Sequence, residues 1–463
     1  MTTPRPSHLL LTMCLAVLIA QLDTSVVNLV TRPIAEQFHV GVTALQWVVD
    51  SYNLAYACLL LTGGALGDLY GRRRMFMLGL AAFTVGSLAC GLAPNVGLLI
   101  AGRALTGLGA ALALPSSLAI LTVSFTGQRE RTHAIGIWAS CNGIGLAIGP
   151  TLGGVLVRYT GWRSVFLLIV PVALGAITLA RRGVPESADP HGRRLDPAGQ
   201  FLAIAALAAP VLAVIEAPRL GWSSAPVLIA AAVGLTALVL FLAKQRGRDD
   251  GMVPLGLFRN RAFSAAMALA ALMTFGIYGM LFMLPIYLQA VRGTGIEIVG
   301  LEILPMALAF VLVSRRSGAL TVTYGVRVVL VAGMVLMGAG MLTLGFVDAV
   351  SPLWIVELAA LSIGAGLGLC GGPVMAVAVA NVPRARAGTA SGLGNTARMM
   401  GATLGVAVLG AIYAAPAGQG LSDPAMVLAG VHAAFRGSAA SAFAGALLAW
   451  ICIRRGALEP ALA

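Results

Sequence analysis

Apolar runs of about 20 residues recur from residue 8 to residue 453, and they constrain the fold more than any other feature. A helix of that length crosses the roughly 30 Å hydrocarbon core of a bilayer. About fourteen such runs can be read, including 8–30, 44–66, 97–120, 134–157, 263–289, 297–314 and 389–413. Inside lipid each must satisfy its own backbone hydrogen bonds, so each is expected to be helical. The predicted class is an all-α integral membrane protein. Composition agrees: 59% of residues are hydrophobic and 10% charged, which excludes a water-soluble domain of 463 residues.

The net charge of +13 invites a nucleic-acid reading, but the arginines sit in short loops between apolar runs, with no basic domain and no interleaved aromatics. They read instead as a topology signal. With the N-terminus in the cytoplasm, 22 Lys and Arg fall on the cytoplasmic side. Six fall outside: Arg32, Arg158, Arg163, Arg219, Arg292 and Arg436. Two, Arg103 and Arg398, lie within spans. This bias predicts cytoplasmic termini. The first apolar run is too long for a cleaved leader and is expected to remain as a span.

Other functions lack their residues. The six cysteines are scattered singly and read as small core residues, with no metal spacing. The five histidines stand at termini or near span ends, with no HExxH. No GxxxxGK[ST] loop is present, so an ATP-driven pump is not expected. No metal, no cofactor, no nucleic acid and no enzymatic activity are predicted.

The chain repeats itself. "GALGDLYGRRR" (64–74) aligns with "GALTVTYGVRV" (318–328), and "GPTLG" (149–153) echoes "GATLG" (401–405). Both echoes are displaced by eight spans. Two six-helix halves, 1–181 and 263–463, with two helices inserted over 182–262, are therefore expected, in the manner of parallel-repeat transporters.

Four segments carry a family resemblance: "LDTSVVNLVTRPI" (22–34), "GGALGDLYGRRR" (63–74), "RALTGLGAALALPSS" (103–117) and "GIGLAIGPTLGG" (143–154). Through them the chain resembles the major facilitator superfamily. More narrowly it resembles the fourteen-span drug:proton antiporters, such as methylenomycin- and puromycin-resistance exporters. The resemblance covers essentially the whole chain. It implies a monomeric exporter in a bacterial inner membrane that moves an amphiphilic organic compound against protons; uptake by symport is the alternative on the same fold. It also places Arg103 near the proton pathway and makes the glycine–proline segment of span 5 a hinge and a seal against leak.

Each segment also has a physical reading. Gly64 and Gly67 would allow close helix approach and Gly71 a tight turn. Asp68 among Arg72, Arg73 and Arg74 reads as a cytoplasmic latch that changes partners, a role that Val322 weakens in the second copy. Gly145, Gly149, Gly153 and Gly154 would form one small-residue face, with Pro150 interrupting the backbone ladder.

A carboxylate within a span costs roughly 2.5–3.5 kcal/mol to insert, so Asp23 in span 1 calls for a role. Asp23, Asp50 and Arg103 fall at similar depth and are the candidate proton-coupling cluster. Asp23 is the first candidate for the proton and Asp50 the second. A fixed structural pair of Asp23 with span 4 remains open. Glu216 is expected to be solvated. Glu302 is either a rim residue or a cavity residue. Tyr52, Tyr278, Phe282, Glu302 and Arg398 are the cavity candidates, set against ordinary core packing for each aromatic.

Overall fold

The structure, a computed structural model, describes residues 6–125, 127–189, 195–248, 251–383, 386–418, 420–421 and 423–454. Arg5, Arg193, Arg194, Arg384 and Arg455, all used in the orientation argument, lie outside the described residues. Among the described residues the protein is a bundle of helices without strands.

The chain begins with α1 (Pro6–Leu29), a short α2 (Thr31–Phe38), α3 (Val42–Tyr70), α4 (Arg72–Gly91), α5 (Val96–Ser124) and α6 (Gln128–Thr160). The sixth span is the broken pair α7 (Arg163–Leu167) and α8 (Ile169–Gly183). A hairpin of α9 (Pro197–Leu220) and α10 (Ala225–Gln245) follows. Then come α11 (Arg261–Ile286), α12 (Ile296–Tyr324), α13 (Val326–Leu344), α14 (Leu353–Ala380), α15 (Ala387–Ala417) and α16 (Pro424–Cys452). Helix α11 ends in a turn of π-helix, Tyr287–Val291, just after Pro285.

Thirteen of the fourteen expected spans coincide with helices long and apolar enough to cross a membrane. The remaining one, α3, is 29 residues long, but Gln46, Asp50, Ser51 and Asn53 lower its hydropathy, and all four are buried. Helix α16 starts well before the expected residue 436 because Asp423 caps it by accepting from the Ala425 N–H at 2.9 Å. Arg436 is therefore not in a loop. It lies within α16, donating to the Gly345 carbonyl and stacking on Phe346.

The packing order is repeated. Helix α1 packs on α6, α3 on α5, α4 on α5 and on α8; correspondingly α11 packs on α15, α12 on α14, α13 on α14 and on α16. Small residues set the spacing. A Cβ on Gly86 would lie 2.8 Å from the Gly102 carbonyl oxygen, and one on Gly366 would lie 2.4 Å from that of Gly333.

The two sets meet through α6 on α12 and α3 on α15. Helix α9 lies against both α3 and α15, while α10 packs on α9. Polar bonds tie α9 to α3: Trp47 donates to Glu216 at 3.0 Å, Thr62 bonds Gln200, and Gln200 donates to the Cys58 carbonyl. Glu216 is thus an anchor rather than a solvated residue. At the other end Asp196 caps α9 and pairs with Lys244 of α10 at 2.5 Å. The Lys244 ammonium holds the Asp196 carboxyl below the usual range.

Candidate functional site

The first part of the site is a buried ion pair. Asp23 comes from α1 and Arg103 from α5, and their side chains are each 1% exposed. Arg103 Nη1 donates to Asp23 Oδ2 at 2.5 Å, and Nε donates to the Val48 carbonyl of α3 at 3.1 Å. The guanidinium also lies 4.6 Å from the centre of the Tyr52 ring. One side chain therefore joins three helices. Asp23 Oδ1 receives no hydrogen bond, so the carboxylate is only half satisfied. Removing one partner of such a pair leaves a bare buried charge, at about 3–5 kcal/mol.

Asp50 does not join this pair. It is buried, neither of its oxygens receives a hydrogen bond in good geometry, and its polar neighbour is Asn53. Similar depth did not bring it to Arg103 because it points elsewhere round α3. Gln46, one turn earlier on the Asp50 face, donates to the Val406 and Ala407 carbonyls of α15.

A line of aromatics leads away from the pair. Tyr52 is buried at 2%, so it belongs to the ion-pair environment rather than to an open cavity. Its ring centre lies 6.1 Å from that of Tyr56, one turn along α3. Half-buried Tyr56 packs in one cluster with Tyr278 of α11 and Met399 of α15. Arg398 of α15 lies within electrostatic reach of both Tyr56 and Tyr278, and its Nε has no hydrogen-bond partner. Tyr56, Tyr278 and Arg398 thus form a partly open polar and aromatic group drawn from three helices. Tyr56 carried no mark in the sequence, where it is one aromatic in an apolar run.

Phe282 is buried completely, in the apolar cluster that also holds Val26 and Val27 of α1, and Pro285 is buried too. Of the two cavity candidates on α11, Phe282 is therefore core and Tyr278 is the partly open one. Glu302 is buried at 8%, with Oε2 unpartnered and with Arg292 and Glu357 near it.

The glycine–proline segment of α6 has two faces, not one. Gly145, Gly149 and Gly153 repeat every fourth residue and press on Gln21, Ser25 and Val26 of α1. A Cβ on Gly149 would fall 1.9 Å from the Ser25 hydroxyl oxygen. Gly154 is a further 100° round the helix. It meets α12, with its would-be Cβ 2.6 Å from the Ile296 carbonyl oxygen. Thr151 donates to the Gly300 carbonyl of α12 at 3.1 Å, and a Cβ on Gly300 would lie 2.2 Å from the Pro150 oxygen.

The latch is also rearranged. Arg72 bonds Asp68 one turn back, at 2.8 Å. Gly71 has φ +108°, which only glycine adopts readily. Beyond it the partner is the segment after α8. Glu186 accepts from the Arg73 and Arg74 backbone N–H groups at 3.0 and 3.2 Å, and the Val184 carbonyl accepts from the Arg73 guanidinium. Gly67 packs near Ser116 of α5, but Gly64 has room: a Cβ there would meet only Pro115 Cβ, at 3.7 Å. The crowded glycine is Gly63, whose Cβ would lie 2.0 Å from the Ala111 carbonyl oxygen. In the second copy Gly325 keeps a positive φ, Val322 is exposed, and Arg327 stacks on Trp450.

Comparison with known proteins places this arrangement. A model of the Major Facilitator Superfamily matches residues 13–406. The chain is 40% identical to the multidrug resistance protein Stp of Mycobacterium tuberculosis, over 85% of this chain and 73% of that one. It is 35% identical to a methylenomycin A resistance protein of Streptomyces coelicolor, over 85% and 82%. It is 33% identical to the multidrug efflux pump LfrA of Mycolicibacterium smegmatis, over 94% and 85%. Among solved structures, a bacterial homologue of the human lysosomal transporter Spinster superposes with a TM-score of 0.70. It covers 97% of each chain at 18% identity. The chain belongs to the Major Facilitator Superfamily, among relatives named for drug resistance and efflux.

Proposed function

We propose that the protein is a proton-coupled antiporter that exports an amphiphilic organic compound, a drug or antibiotic, by alternating access. The observation that carries this reading is the buried Asp23–Arg103 pair and its aromatic connection to Arg398 and Tyr278. Export of a drug is carried over from the names of the relatives.

The proposed cycle follows from the pair. Asp23 ionised holds Arg103; a proton on Asp23 removes the charge that Arg103 answers. Arg103 then keeps the Val48 carbonyl and the Tyr52 ring, and the contact between α1 and α5 loosens. A proton moving inward down the membrane potential supplies about 2.3 kcal/mol per 100 mV. Substrate at the Tyr56, Tyr278 and Arg398 group and a proton at Asp23 would bias the rocking of the two helix sets in opposite senses. Asp50, buried at the α3 face whose Gln46 meets α15, is the second proton candidate.

The test is direction of flux. In proteoliposomes with an imposed pH gradient, a fluorescent amphiphilic cation such as ethidium is expected to accumulate on the more acidic side. Accumulation on the less acidic side would make the protein a symporter, and gradient-independent equilibration would remove proton coupling.

A further inference from the structure

A groove of about 770 Å³ runs down the outside of the bundle between α4 and α8, apart from the Asp23–Arg103 site. Its body is apolar, lined by Leu78, Ala81 and Val85 of α4 and by Leu174 and Ile177 of α8. Leu78, Val85 and Leu174 are exposed, at 55%, 57% and 51%. Two threonines line it as well, but each hydroxyl bonds a carbonyl of its own helix: Thr84 to Leu80 and Thr178 to Leu174. The body therefore asks for no polar ligand.

The mouth is different. Tyr70, Arg74 and Arg181 line the groove where α3 ends, α4 begins and α8 ends. The Arg74 side chain is 72% exposed, and Arg181 is exposed as well. Among the described residues, the acid paired with Arg74 is Glu186. Its carboxylate is already engaged by the backbone N–H groups of Arg73 and Arg74, and it stands 3.9 Å from Arg74 Nε. From Arg74 to Val85 the groove follows α4 for about 16 Å. It thus has a cationic, phenol-bearing head and an apolar tail as long as much of an acyl chain.

We propose that the α4–α8 groove is a binding site for an anionic phospholipid. The headgroup phosphate lies between Arg74 and Arg181 with Tyr70 as a hydroxyl donor, and an acyl chain lies over Ala81. Charge complementarity selects this occupant. A bare apolar face would take any lipid tail, whereas two guanidiniums at one end favour a net negative headgroup over a zwitterionic one. A bound lipid would also lie against the turn that begins at Gly71, so its occupancy is expected to track the state of that loop.

The experiment is native mass spectrometry of the full chain in detergent, titrated separately with phosphatidylglycerol and with phosphatidylcholine of the same chain length. Wild type is expected to bind phosphatidylglycerol about 25-fold more tightly, from about fivefold per guanidinium. Arg74→Gln with Arg181→Gln should erase the preference while leaving weak binding of both lipids. Ala81→Phe fills the tail and keeps both arginines, and it should lose both lipids. Soluble glycerol phosphate at millimolar concentration should displace neither. Equal affinities in wild type, an unchanged preference in the double variant, or displacement by glycerol phosphate alone would each overturn the proposal. Elution of each variant at the wild-type volume on size exclusion separates these outcomes from misfolding.

Discussion

Arg103 shows how much one side chain can be asked to do inside a membrane. It neutralises Asp23, satisfies a carbonyl of α3 and stacks on Tyr52. Only a planar guanidinium meets all three demands, since lysine offers a compact charge. Arg103→Lys is expected to slow gradient-driven ethidium transport at least tenfold, because one charge-assisted bond is worth about 1.5–3 kcal/mol. A rate within twofold of wild type would deny the three-way role. This pair was legible in the sequence because ionisable residues in spans are rare and need partners. Tyr56 was not legible, since nothing in an apolar run marks which aromatic faces inward. Nor was Glu186, whose place at Arg73 and Arg74 depends on how the segment after α8 folds back.

The elements themselves were largely written in hydropathy, and α3 shows why that signal has a limit. Its buried polar residues make it the least lipid-like of the expected spans, yet it packs on α5, α9 and α15. Glycine positions were legible as a class but not one by one, because the sequence does not say which backbone stands opposite. Gly63 meets Ala111, whereas Gly64 meets open space and Pro115. Gly63→Ala is therefore expected to cost about 1–3 kcal/mol by overpacking. Gly64→Ala should be neutral or stabilising by up to about 1 kcal/mol through helix propensity. Thermal unfolding in detergent checks the pair; equal shifts would contradict the assignment. The same logic separates Gly154, facing α12, from Gly145, Gly149 and Gly153, facing α1.

At the scale of the molecule, a group of side-chain hydrogen bonds joins the two helix sets at one end of the bundle. Arg32 bonds the Gln289 carbonyl, Gln289 donates to the Leu29 carbonyl, Gln46 meets Val406 and Ala407, and Thr151 meets Gly300. All lie in the half of the bundle away from the N-terminus of α1. With cytoplasmic termini, as proposed from the arginine distribution, this is a form closed to the outside. Gln289 and the π-turn that carries it hold that closure between α11 and α1. Gln289→Ala removes one of these bonds and should shift the population outward. Its measure is a faster reaction of a cysteine placed at buried Leu29, whose carbonyl Gln289 bonds, with a membrane-impermeant maleimide, by about fivefold for about 1 kcal/mol. An unchanged rate would contradict that role for Gln289.

The central proposal is that protonation of Asp23 couples the cycle. Proteoliposomes holding Asp23→Asn or wild type should be compared under the same pH gradient, with membrane potential clamped at zero. Wild type is expected to concentrate ethidium, while Asp23→Asn still exchanges it at equal concentrations and no longer concentrates it. Gradient-driven accumulation by Asp23→Asn at the wild-type level would show that the proton is carried elsewhere.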